Sequence, residues 1–173
     1  MIHTDHVNLI RAGVVSGAWA DFGAGGGAFT LALADLLGAG AQIYSVDRDS
    51  GALDQQRAAM RRQFPDANVI YLRADFTARL DLPLLDGVLM ANSLHFVREK
   101  DAVLQLVKGY LKPGARLILV EYNVDRGNTW VPYPLSFETW RALASKNGFK
   151  DTSKLAARPS RFLGEIYSAL SLT

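Results

Sequence analysis

The chain has 173 residues, 49% of them apolar, with 19 Lys and Arg against 17 Asp and Glu. That length reads as one domain over residues 1–173, long enough for a substantial core. The formal charge of +2 comes without a dense basic run, so DNA is not indicated, and the absence of cysteine excludes disulfides and thiolate metal sites.

The opening Met1-Ile2-His3-Thr4-Asp5-His6 lacks the basic and apolar regions of a secretory signal. No apolar stretch approaches the length of a membrane span, so a cytoplasmic enzyme or binding module is expected. Val7, Ile10, Val14 and Val15 predict a helix over residues 5–15 with Asp5 as its N-cap. Residues 18–22 read as a strand. Gly23-Ala24-Gly25-Gly26-Gly27 then reads as a tight turn, and 28–37 as a helix leaving through Gly38. A helix start aims unsatisfied N–H groups at whatever occupies the turn before it.

Residues 42–47 predict a second strand, closed by Asp47. Ser50 reads as the cap of a helix running through Gln63 with Leu53, Met60 and Phe64 facing inward, stopped by Pro65. Residues 69–73 predict strand three, closed by Asp75, and 85–92 strand four, ending at Asn92. A turn through His95 leads to a helix over about 99–111, and Lys112-Pro113-Gly114-Ala115 reads as a turn into strand five, 116–122. Asn123 to Leu135, with Trp130 and Tyr133, is the least regular segment. Ser136 caps a last helix, and two further strands are expected at 149–155 and 164–172, with Pro159 and Gly164 marking their connection.

Strands apolar on both faces, alternating with helices, predict a doubly wound, mostly parallel seven-stranded sheet with helices on both faces. In such sheets ligands sit outside the carboxyl ends of the strands, where strand order reverses. Asp21, Asp47, Asp75 and Asn92 all fall at predicted strand ends behind the glycine turn. Gly23, Gly25 and Ala28 also satisfy the G-x-G-x-x-A dinucleotide pattern, which leaves a nicotinamide-dependent reductase as an alternative, although little chain remains for a separate substrate domain.

Asp21-x-Gly23-x-Gly25-x-Gly27 resembles the first motif of class I S-adenosylmethionine-dependent methyltransferases. The resemblance continues through Ser45-Val46-Asp47, Ala74-Asp75-Phe76, Asn92-Ser93-Leu94-His95-Phe96 and Leu111-Lys112-Pro113-Gly114-Ala115, in order over residues 5–122. It implies a Rossmann-like methyltransferase fold with S-adenosylmethionine as cofactor. The glycine turn (Phe22, Gly23, Ala24, Gly25, Gly27) is then expected against the methionine part, with Asp21 near its amino group. Asp47 would accept the ribose hydroxyls, Arg48 flank the adenine, and Asp75 receive the adenine amino group beside Ala74 and under Phe76. Asn92, Ser93 and Leu94 would border the transferred methyl.

Each assignment has a plainer counterpart. Asp47 and Asp75 also read as caps of the helices that follow, and Phe76 as a core residue. His95 reads as a proton acceptor or as a packed turn histidine. Tyr122, Trp130 and Tyr133 read as an acceptor pocket or as loop packing. The N-terminal segment, with His3 and His6, and the loop after Asn123 are candidate lids. Strand four lacks the Asn/Asp-Pro-Pro-aromatic signature of enzymes that methylate DNA amino groups, so a small-molecule acceptor is expected first, and a protein or RNA second. A non-catalytic cofactor-binding subunit and a purely structural nucleotide-fold domain are the other readings; the oligomeric state is not readable.

Overall fold

The computed structural model describes residues 1–173. Its elements in order are α1 (His3–Ile10), β1 (Trp19–Phe22), α2 (Ala28–Leu37), β2 (Gln42–Asp47), α3 (Ser50–Gln63), β3 (Asn68–Arg73), β4 (Leu85–Ala91), a 3₁₀ turn (Leu94–Phe96), α4 (Lys100–Tyr110), β5 (Leu111–Tyr122), α5 (Phe137–Lys146), β6 (Lys150–Ser160) and β7 (Gly164–Leu172). No helix is long and apolar enough to cross a membrane.

The strands form one open seven-stranded sheet in the order β3-β2-β1-β4-β5-β7-β6. β1 to β5 are mutually parallel, whereas β7 runs antiparallel to both β5 and β6. The chain winds outward from β1 to β3, returns across the sheet, and continues from β4 on the other side of β1. Strand order therefore reverses between β1 and β4, which opens a crevice above their carboxyl ends.

Each face of the sheet buries its own core. On one side Val103, Leu104 and Val107 of α4 and Trp140 and Ala144 of α5 pack on Ala20, Val88 and Leu117. On the other, Val7 and Ile10 of α1, Leu31 and Leu33 of α2 and Met60 of α3 cover Trp19, Ile43 and Ile118. β1 and the middle of β4 and β5 are sealed on both faces, which is why they read as unbroken apolar runs rather than alternating ones.

Local signals misplaced several boundaries. α1 begins at His3 with Ile2 as N-cap; Asp5 lies inside its first turn and accepts the Ile2 N–H at 2.9 Å, and the helix ends at Ile10, not 15. Asp49, not Ser50, caps α3, its carboxylate accepting from Gly51 and Ala52. The expected turn at 112–115 is a bulge within β5: the register passes from Leu85 opposite Leu111 to Gly87 opposite Arg116, with Gly114 at φ +73°. β6 continues past Leu155 to Ser160, so Pro159 lies within the hairpin, opposite Glu165. Ser136 caps α5 as expected, accepting from the Thr139 N–H.

Candidate functional site

The turn after β1 is built by three residues in the left-handed region, Gly23 (φ +75°), Gly25 (+51°) and Gly27 (+84°). Gly23 and Ala24 donate their N–H groups to the Val46 carbonyl at 2.9 and 3.0 Å, which ties the exit of β1 to β2. The glycines serve different ends. A Cβ on Gly23 would stand 2.5 Å from the Ser93 Cβ, and one on Gly27 2.2 Å from the Gln56 Cγ. Gly25 and Gly26 meet nothing within 4 Å. The first pair lets the walls close; the second leaves bare backbone facing open space.

A cavity of about 320 Å³ lies at the β1/β4 crevice, lined by Gly23, Asp47, Arg48, Asp75, Phe76, Asn92 and Ser93, together with Thr77, Phe96 and Val97. Asp47 Oδ2 accepts the Gly25 N–H at 2.7 Å and Oδ1 the Asp49 N–H at 2.9 Å, so this carboxylate braces the turn. Asp75 Oδ1 accepts from the Thr77 N–H and hydroxyl at 2.9 and 2.7 Å. Those bonds, with Arg48 Nη1 3.6 Å from Oδ2, hold its pKa below the ordinary carboxylate value. Asp75 thus caps a short turn and lines the cavity at once. Phe76 bounds the cavity and stacks on the buried Phe22, with centroids 6.1 Å apart and planes at 9°.

Asn92 and Ser93 form the opposite wall. Asn92 has φ +53°, a conformation asparagine tolerates better than most residues. Asn92 Oδ1 and Ser93 Oγ are buried without any hydrogen-bond partner. Both atoms are sealed from solvent within that wall, so each side chain would have to shift to offer its oxygen to the cavity. Carboxylates and a flat apolar ring beside the Gly23 backbone suit a ligand bearing hydroxyl and amino donors and an aromatic ring.

The remaining expected residues lie deeper. Asp21 does not line the cavity. It is 1% exposed beneath the glycine turn and accepts the Thr30 hydroxyl at 2.6 Å. Thr30 accepts in turn from Gln56, whose Oε1 accepts the Ser45 hydroxyl at 2.6 Å. Burial raises the Asp21 pKa to about 7. The three acids at strand ends are therefore two at the cavity and one under its floor. Ala74 donates its N–H to the Asp47 carbonyl at 3.0 Å, and Leu94 is a fully buried core residue.

His95 sits just behind the cavity wall, 3% exposed, with Nδ1 2.8 Å from Glu121 Oε2 and its backbone N–H donating to Oε1 at 3.1 Å. A carboxylate offers only acceptors, which assigns the proton of the shorter contact to Nδ1. Nε2 has no partner within the protein and is not sealed as Asn92 Oδ1 is. Tyr122 follows Glu121 with its ring 6.4 Å from that of His95. Tyr133 donates its N–H to the His95 carbonyl, and its ring lies 5.6 Å from the Lys100 ammonium. Trp130 is 75% exposed at the loop tip. Neither Trp130 nor Tyr133 lines the cavity, and His3 and His6 pack on Phe64 and Phe29 instead of covering it.

Sequence reasoning passed over Thr77 and Glu121. The Asp-x-Thr spacing was a signal for the first, since it favours a side-chain-capped turn. A lone acid inside the apolar run Leu117–Tyr122 was one for the second, because such a charge needs a buried partner.

A family model described as a methyltransferase domain matches residues 20–117. The ubiquinone/menaquinone biosynthesis C-methyltransferase UbiE of Shewanella frigidimarina is 29% identical over 128 residues, covering 72% of this chain and 49% of that protein. The chain spans about half the length of the curated relatives it matches. The YcgJ protein of Bacillus subtilis superposes with a TM-score of 0.80 at 12% identity, covering 99% of both chains. A SAM-dependent methyltransferase from Aquifex aeolicus gives 0.75 at 18% identity, covering 97% of this chain and 89% of its own.

Proposed function

The chain belongs to the class I S-adenosylmethionine-dependent methyltransferases, and from that premise we propose that the cavity over the glycine turn holds the cofactor, whose methyl group passes to a small-molecule acceptor. Asp47 accepts the ribose hydroxyls, two oxygens suiting two donors. Asp75 receives the adenine amino group, with Arg48 and Phe76 at the ring. The backbone of Gly23, Ala24, Gly25 and Gly27 carries the methionine end against Asn92 and Ser93. Asp21, Phe22, Ala74 and Leu94 support these groups from below. Bound there, the sulfonium supplies an already electrophilic methyl group.

What the chain adds is chiefly alignment and exclusion of water. An acceptor that loses a proton on transfer can pass it to His95 Nε2, while Glu121 holds Nδ1–H and compensates the imidazolium. Relatives named for ubiquinone and menaquinone biosynthesis support a small-molecule acceptor, and the cysteine-free sequence suits work in the cytoplasm.

The observation that carries this reading is the gathering of Asp47, Asp75 and Phe76 around one cavity with the Gly23 backbone, Asn92 and Ser93. Calorimetry with S-adenosylhomocysteine tests it. The protein should bind saturably, and Asp47→Ala should weaken binding by about 2–4 kcal/mol, on the order of one to three decades. Unchanged affinity in that variant removes Asp47 from the site; no binding to the unaltered protein overturns the reading.

A further inference from the structure

We propose that the methyl acceptor is an apolar or aromatic small molecule bearing an anionic group, and that the β6–β7 hairpin forms its binding site. This rests on the methyltransferase reading and names the kind of molecule that reading leaves open. A second cavity, of about 460 Å³, lies at the hairpin. Its size falls in the range of about 300–1,000 Å³ common for small-molecule sites.

The topology brings this cavity to the reacting edge. Because β7 runs antiparallel to β5, Tyr122 at the end of β5 stands opposite Ile166, and the Arg161–Leu163 turn reaches the carboxyl edge of the parallel strands. The Tyr122 ring, in this cavity's wall, lies 6.4 Å from the His95 ring; Phe96, in the wall of the cofactor cavity, lies 4.3 Å from it. The His95 ring therefore has beside it one aromatic ring from the wall of each cavity, and an acceptor anchored at the hairpin would extend its reacting atom past that ring to the methyl group.

The lining is chemically one-sided. Tyr122, Phe162, Pro159 and Ile166 give it apolar walls, Phe162 meeting Tyr122 edge to face at 5.7 Å. Phe162 is nevertheless 50% exposed, with one face left for a ligand. Met1 joins the lining; the charged side chains there are Arg158 and Arg161, and no carboxylate is among them. Arg158 is held in place by an ion pair with Asp5, whereas Arg161 enters no ion pair in the protein. A guanidinium with its donors free beside aromatic walls suits a carboxylate or similar anion on an apolar body. Tyr122 remains a neutral phenol, since burial and the nearby Glu121 push its pKa up, and so retains a proton to donate to such an anion.

The test is calorimetry on protein saturated with S-adenosylhomocysteine, using acids and their neutral amides as matched probes: phenylacetate and phenylacetamide, indole-3-acetate and indole-3-acetamide, decanoate and decanamide. At least one acid should bind about tenfold or more tightly than its amide, and Arg161→Gln should abolish that preference without changing affinity for S-adenosylhomocysteine. Phe162→Ala should weaken acid and amide alike. Both residues are exposed in a turn, so neither variant threatens the fold. Equal binding of acids and amides, binding of neither, or a preference that survives Arg161→Gln overturns the proposal. If S-adenosylhomocysteine itself fails to bind, the cofactor reading falls, and the same titrations without it still decide the anion site.

Discussion

Asp21 is fully buried under the glycine turn, and desolvation is the main reason its pKa rises from 3.8 to about 7, with the Asp47 charge adding to it and the Thr30 hydrogen bond opposing it. A carboxyl whose pKa is higher folded than unfolded favours folding in its neutral form. Its contribution is complete below pH 4 and is lost as pH rises through 7. Relative to Asp21→Asn, the unaltered protein should therefore lose on the order of 2 kcal/mol of unfolding free energy between pH 5 and pH 8, measured by urea denaturation. Parallel pH profiles for the two proteins would show that Asp21 does not carry that burden. The His95–Glu121 pair makes a different prediction. Glu121→Ala leaves a cavity and an unpaired buried imidazole, and should cost about 3 kcal/mol of stability. His95→Gln should leave affinity for S-adenosylhomocysteine unchanged, because His95 does not line the cofactor cavity. Residue types at the site were legible from the sequence, but not their depth: Asp21, Asp47 and Asp75 look alike as strand-end acids, and only packing separates the buried one from the two at the cavity.

The glycine turn gives the element-scale contrast. Alanine at Gly25 has open space around its methyl, so its penalty is backbone strain alone, about 1–2 kcal/mol. The methyl projects where the cofactor is expected to lie, so affinity for S-adenosylhomocysteine should fall sharply while the protein stays folded. Alanine at Gly27 meets both a positive φ and the Gln56 side chain, and should destabilise the fold by about 3 kcal/mol or more in thermal unfolding. Equal stability for the two variants would contradict this division of labour. Helix and strand positions in this region were readable because apolar spacing and glycine punctuation are local. Exact ends were not. Asp49 and Ser50 are both good caps by type, and it is the backbone leaving β2 that gives Asp49 the extended conformation a cap requires (φ −85°, ψ 106°).

At the scale of the whole molecule, the switch in strand order between β1 and β4 gathers segments far apart in sequence, Gly23 to Asp47 on one side and Asn92 to Val97 on the other, around one cavity. A ligand in such a place braces both halves of the sheet. S-adenosylhomocysteine at a hundred times its Kd should add about 2.7 kcal/mol to stability, raising Tm by about 5–10 °C for a chain of this size. NADH should leave Tm unchanged, and a rise with NADH alone would count against the cofactor assignment. Antiparallel addition of β7 and β6, the two strands expected near the end of the chain, extends the same edge and carries Arg161 and Phe162 to it; the sequence marked the strands and their connection but not the cavity those two residues line.

By itself the sequence determined the alternation of strands and helices, the doubly wound parallel sheet and the glycine-floored ligand edge. Each of these follows from periodicity and punctuation over a few residues. Tertiary structure alone decided that Asp21 lies beneath the floor while Asp47 and Asp75 line the cavity. It also decided that His95 is bound to a glutamate 26 positions later, and that a hairpin from the end of the chain stands beside them. Those outcomes depend on which strands become neighbours and how deeply each end is covered, and they are fixed only when the open sheet assembles between its two cores.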